Sequence, residues 1–158
     1  MSRQATEHTS ALSKERLRLW LKLLKASRAI EDEIRRRLRT EYGSTLPRFD
    51  VMSALDRSSD GLKMSEISKR LRVSNGNITG IVDKLAEEKL AQRVPIPGDR
   101  RAHLVKLTEK GRADFRAHAA AHEAWINDIL AELNLDDVEG MNLRLDRLAE
   151  ALEGDPDD

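Results

Sequence analysis

Apolar residues recur at helical intervals towards both ends of the chain. In Met1–Tyr42, Leu17, Leu21 and Leu24 are followed by Ile30, Ile34 and Leu38 with no Gly or Pro between them, so one long helix is expected. A second Gly- and Pro-free stretch, Arg112–Glu139, aligns Trp125, Ile129 and Leu133 in one row, with Ile126 and Leu130 beside it. After a break at Asn134–Asp137, Val138, Met141, Leu145, Leu148 and Leu152 step by 3, 4, 3 and 4, an a/d seam suited to a partner helix.

The middle of the chain changes period. Leu46–Arg57 reads as a short helix with Pro47 in its first turn, and Ser58–Gly61 as a turn. Ser65 is placed to cap a helix through Leu71, and Arg72-Val73-Ser74 connects tightly into a helix over Asn75–Glu88. Ala91–Ile96 and His103–Leu107 alternate like strands, joined by Pro97-Gly98-Asp99-Arg100-Arg101. The fold class that follows is mostly α with a small β-wing, a winged helix-turn-helix flanked by long helices. Its expected parts are an N-terminal dimerisation helix in 1–45, a DNA-binding lobe in 46–110, C-terminal dimerisation helices in 111–153, and a disordered acidic tail in 154–158.

Charge sharpens this division. The 158 residues hold 28 Lys and Arg against 28 Asp and Glu, a net charge of zero that conceals strong segregation. Residues 1–60 carry 13 basic and 9 acidic side chains and residues 61–112 carry 12 and 6, whereas residues 128–158 carry 2 and 11. The basic middle suits a polyanion, and the acidic end does not. The absence of Cys excludes disulfides, thiolate catalysis and Cys-ligated zinc. No apolar run approaches a membrane span and Met1–Ser10 is too polar for a signal peptide, so a cytoplasmic protein with no membrane partner is expected.

On a helical wheel, Ile78, Val82 and Leu85 form the buried face of Asn75–Glu88, with Ile81 at its edge. The opposite face carries Gly76, Gly80 and Asp83, flanked by Asn77, Thr79 and Lys84. Two glycines inside one helix each cost about 1 kcal/mol relative to Ala. Close approach to the floor of a DNA major groove explains them. Ser74, Asn75 and Asn77 then lie at the entering end, Asn77 for an adenine edge, Thr79 for a thymine methyl or phosphate, and Lys84 for a phosphate. In the hairpin, Arg100 and Arg101 suit the minor groove, Asp99 is expected to orient one of them through a charge-assisted pair, and Arg93 to reach the DNA backbone or tie the wing to the helix.

Val73-Ser74, Ile78-Thr79, Val82-Asp83-Lys84-Leu85, Lys89-Leu90-Ala91-Gln92-Arg93, Asp99-Arg100-Arg101 and Leu107-Thr108-Glu109-Lys110-Gly111 together resemble the MarR family of transcriptional regulators. The resemblance spans nearly the whole chain. It departs at Lys89, where members commonly carry the Gly of a tight turn. It implies an obligate homodimer that grips pseudo-palindromic double-stranded DNA and represses until a small-molecule effector releases it. It makes Arg101 the minor-groove residue and Asp99 its positioning partner. Leu46–Met52 with Ser74–Asn77 is similar to members that control aromatic-acid catabolism, some of which sense aryl-coenzyme A thioesters such as hydroxycinnamoyl-CoA.

An effector cavity is expected among the first helix, Leu46–Arg57 and Arg112–Leu133. Trp20, Phe49, Met52 and Trp125 are its apolar candidates, though core packing is the simpler explanation of the aromatics. Arg48, or the Arg35-Arg36-Arg37 run, is its candidate for holding an anion, and the run is also explained as a solvated face. His118 and His122, an i/i+4 pair, have zinc-ligand spacing but lack the His-Glu-x-x-His order of a metalloprotease. They leave a zinc-responsive regulator or metal-dependent hydrolase as the alternative, and the Val138–Leu152 seam alone leaves a helical adaptor. No cofactor-binding motif and no catalytic constellation emerges.

Overall fold

The computed structural model describes the backbone of residues 3–154 and the side chains of residues 9–154. All but the first residue of the acidic tail expected to be disordered lies outside that range. The elements run α1 (Arg3–Tyr42), α2 (Leu46–Asp56), β1 (Leu62–Lys63), α3 (Met64–Leu71), α4 (Asn75–Glu87), β2 (Ala91–Ile96), β3 (Asp99–Leu107), α5 (Glu109–Ile129) and α6 (Leu135–Glu153). Two compact units result, the first ending at His122 and the second beginning at Glu123. Among the described residues, no helix is long and apolar enough to cross a membrane.

At 40 residues, α1 is about 60 Å long. It ends at Gly43, whose φ of 58° suits glycine. There the Gly43 and Ser44 N–H groups donate to the Arg39 and Leu38 carbonyls, each at 3.1 Å. Thr45 caps α2, accepting from the Arg48 N–H, and Pro47 occupies the first turn, where its missing N–H costs nothing. The core of the first unit gathers Ile34 and Leu38 of α1, Val51, Met52 and Leu55 of α2, Ile67 of α3, and Ile78, Val82 and Leu85 of α4, with Val105 and Leu107 of β3 beneath them.

Three local expectations need correction. Ser65 does not cap α3. The helix starts at Met64 after Lys63, which makes no side-chain cap and belongs to β1. Asp99, Arg100 and Arg101 belong to β3 rather than to a loop, leaving only Pro97 and Gly98 to turn the hairpin. The last break falls at residues 130–134. Asn134 and Asp137 instead form a capping box that opens α6, Asn134 accepting from the Asp137 N–H at 2.9 Å.

The sheet is antiparallel in the order β1-β3-β2, so β2 is an outer strand. Its register with β3 shifts between Pro95 and Ile96. In the second unit, α6 buries none of its residues and leaves Met141, Leu145, Leu148 and Leu152 of the expected seam exposed. Trp125 is buried.

Candidate nucleic-acid interface

Helix α4 is presented by its own turn chemistry. Arg72 adopts a left-handed conformation (φ 53°) to end α3, and the Ser68 hydroxyl donates to the Val73 carbonyl. Ser74 then caps α4, its hydroxyl accepting from the Asn77 N–H at 3.4 Å. Ile78, Val82 and Leu85 are completely buried, which rotates Asn75, Gly76, Asn77, Thr79, Gly80, Asp83 and Lys84 outward. A Cβ added at Gly76 or Gly80 would meet nothing within 4 Å, so neither glycine is required by packing inside the chain. Thr79 is exposed, and its hydroxyl donates to the Asn75 carbonyl at 2.8 Å.

Beside this face stands the wing. Asp99 Oδ1 accepts from the Arg101 backbone N–H at 3.0 Å. Asp99 thus positions Arg101 through the main chain rather than by pairing with a guanidinium. Arg100 and Arg101 are exposed and have no ion-pair partner among the described residues. Arg93 pairs with Asp83, tying β2 to the outward face of α4, which is the second of the two roles expected for it.

Residues 88–90 join α4 to the wing and collect contacts that the sequence did not reveal. Lys89 is left-handed (φ 61°), so the tight turn that the absence of a glycine puts in doubt forms here on a lysine. The Thr108 hydroxyl donates to the Lys89 carbonyl at 2.7 Å and accepts from the Gly111 N–H at 3.0 Å, fixing the start of α5 against the end of α4. Gly111 is required here, because a Cβ would lie 1.9 Å from the Leu90 carbonyl oxygen. The Leu-Thr-x-x-Gly motif is thus a clamp, visible in sequence only as a motif.

A cavity of about 660 Å³ opens on one flank of α4. Tyr42, Arg48, Lys84, Lys110, Asp114 and His118 supply its polar and aromatic wall, and Gly76, Asn77 and Gly80 its α4 side. Arg48 is held by Glu88, and the His118 ring lies 4.1 Å from that of Tyr42. Of the expected ligand residues, Arg48 alone lines this space. Phe49 and Met52 are in the core, Phe49 against Phe115 with ring centroids 5.4 Å apart, and Trp20 is exposed on α1. The Arg35-Arg36-Arg37 run is engaged by carboxylates on its own helix, Glu33 holding both Arg36 and Arg37. Hydrogen bonds from Arg36 and Arg37 lower the Glu33 pKa to about 2.

The two histidines diverge. His118 faces Tyr42, whereas His122 stacks at 4.8 Å from Phe49. Among the described residues, no three His, Asp or Glu side chains gather as metal ligands. The metal alternative has no support in this arrangement.

Residues 42–102 match the model of the MarR family. The chain is 28% identical over 128 residues to the HTH-type transcriptional regulator MhqR of Bacillus subtilis, covering 81% of this chain and 87% of that one. The crystal structure of a MarR family transcriptional regulator from Silicibacter pomeroyi is 28% identical, with a TM-score of 0.72 and coverage of 89% and 96%. Sco3205, a MarR family regulator from Streptomyces coelicolor solved in complex with DNA, is 22% identical and shares the fold, with a TM-score of 0.74 over 90% of this chain and 89% of that one. The relatives and fold are those of transcriptional regulators rather than enzymes. This chain is thus similar to MarR-family transcriptional regulators, through a family model seated on the helix-turn-helix and wing and through a relative and a fold that span the flanking helices.

Proposed function

We propose that the chain is a homodimeric repressor that binds a pseudo-palindromic operator and is released by a small aromatic acid or its coenzyme A thioester. The reading rests on one juxtaposition, the side-chain-free Gly76–Gly80 face of α4 beside the unpaired Arg100 and Arg101 of the wing. Helix α4 enters the major groove with Ser74, Asn75 and Asn77 leading, and Thr79 and Lys84 touch backbone or base edges. Arg101 enters the minor groove, where Asp99 holds its main chain in place. Sco3205, which shares this fold, is solved in complex with DNA, and that supports DNA as the partner.

Dimerisation is supported by two unburied apolar faces, Leu17, Trp20 and Leu21 on α1 and Met141, Leu145, Leu148 and Leu152 on α6. A second copy is the natural cover for both. The effector reading is supported by the cavity flanking α4. Tyr42 and His118 offer aromatic surfaces, and Arg48, Lys84 and Lys110 offer cations for a carboxylate or for the phosphates of coenzyme A. Gly76, Asn77, Gly80 and Lys84 belong both to this wall and to the proposed DNA face. A ligand there changes the surface that DNA needs, which is the differential binding that release requires.

The test is duplex binding to an operator obtained by in-vitro selection, read by fluorescence anisotropy against salt. A dimer making 6–10 phosphate contacts loses roughly three to five decades of affinity between 50 and 200 mM salt. Absence of tight duplex binding at any salt refutes the regulator reading, and unchanged affinity in Arg101→Ala removes the wing from it. Release by aromatic acids or their thioesters tests the effector class separately.

A further inference from the structure

A smaller cavity lies on the other side of α2, bounded by α1, α2 and the helix-turn-helix, and it differs in chemistry from the one that flanks α4. Its volume is about 190 Å³, the liquid volume of about six water molecules, so it suits a compact ligand of roughly six to nine non-hydrogen atoms. Leu46, Pro47, Leu71 and Ile78 give it an apolar lining, and its charged wall is Glu31 and Arg35 from α1 and Asp50 from α2.

The charges are unevenly satisfied. Arg35 is already engaged on its own helix, 3.6 Å from Glu31 and 3.7 Å from Asp32. Asp50 is half-buried, and its carboxyl has neither a hydrogen-bond nor an ion-pair partner among the described residues. A carboxylate taken partly out of water without a partner is costly, and burial raises the Asp50 pKa. The cavity therefore has an apolar body, an excess of negative charge and an unmet acceptor at one side.

We propose that this cavity is a binding site for a small organic monocation with an apolar body, a primary aryl or alkyl ammonium, whose N–H groups donate to Asp50. The ammonium supplies the charge and donors that Asp50 lacks, and the hydrocarbon displaces water from Leu46, Leu71 and Ile78. Val73, in the turn between α3 and α4, completes the lining, and Ile78 is the first buried residue of α4. An occupant therefore touches α1 and the base of the recognition helix at once. This site shares no lining residue with the proposed effector cavity and stands independently of it.

Calorimetric titration of the full chain without DNA decides the matter, using benzylamine at pH 7 with benzyl alcohol and benzoate as neutral and anionic counterparts. Saturable binding of benzylamine alone is expected, weakened about tenfold or more in Asp50→Asn. Val73→Phe, which keeps the carboxylate and fills the cavity, is expected to abolish binding, and it decides the question if Asp50→Asn does not fold. Affinity rises with pH as Asp50 ionises, the facing charged groups being Glu31 and Arg35 of α1 and His122 of α5. Failure of benzylamine to bind overturns the proposal, as does equal affinity for benzyl alcohol or benzoate, or full affinity in either variant. Because no DNA is present, these outcomes are independent of whether the chain represses.

Discussion

Asp83, on the outward face of the recognition helix, pairs with Arg93 on the first strand of the wing. The two elements expected to enter adjacent grooves are thus joined by an ion pair, and an acidic residue that would repel phosphate is neutralised where it stands. Both side chains are substantially exposed, so the pair contributes only about 0.2–1 kcal/mol to stability. Asp83→Asn and Arg93→Ala are expected to lower stability by similar small amounts, with a double-mutant cycle returning most of that as coupling. If Arg93 acts as this tether rather than as a phosphate ligand, Arg93→Ala leaves the salt slope of duplex binding unchanged. A slope reduced by about one indicates a direct phosphate contact.

Gly76→Ala and Gly80→Ala separate folding from function. Each Cβ enters open space, and each substitution raises helix propensity, so thermal stability is expected to hold or rise by up to about 1 kcal/mol. Duplex affinity is expected to fall in the same proteins. Unchanged affinity removes close approach as the reason for these glycines.

Lys89 occupies a left-handed conformation that costs an L-residue about 1–2 kcal/mol. Lys89→Gly is expected to raise stability by about 1 kcal/mol, read as a higher denaturation midpoint. The side chain is exposed and makes no hydrogen bond or ion pair among the described residues.

Gly111→Ala has the opposite sign. Its methyl group would collide with the backbone of Leu90 at 1.9 Å, where no flexible side chain can give way. A loss of about 3 kcal/mol or more is expected in denaturant unfolding, with the α5 start displaced from the Thr108 clamp.

Asp50 sets a pH dependence. Burial raises its pKa above the ordinary 3.8, so its contribution to stability is fully present below that value and is lost as pH rises through the raised one. Asp50→Asn is therefore expected to stabilise the free protein at neutral pH, with the advantage shrinking towards pH 4. Thermal melts of both proteins across that range check it.

What could be read from the sequence was what local periodicity encodes. Ile78, Val82 and Leu85 define a buried stripe by spacing alone, and Ser74 announces its helix, so α4 and the face it presents were legible residue by residue. β1 was not, because two residues carry no period and Leu62 is a strand only through Val105, more than forty positions away. That pairing also makes Lys63 a strand residue, so α3 opens at Met64 rather than at a Ser65 cap, whereas the local pairing of Ile96 with Asp99 carries β3 back to Asp99. Of the residues expected to line an effector cavity, only Arg48 lines the cavity beside α4. Large aromatic side chains suggest core packing before ligand contact, whereas Lys84, Lys110 and Asp114 come together only in three dimensions.

The outer strand of the wing has a consequence for assembly. An exposed hairpin on a rigid lobe offers unpaired amides on which another chain can add a strand. Here β2 is that edge, and Pro95 removes one amide just where the register shifts before Ile96. The irregularity interrupts the edge that an added strand would have to follow. The arginine-rich tip thus sits next to an edge that is a poor template for a further strand.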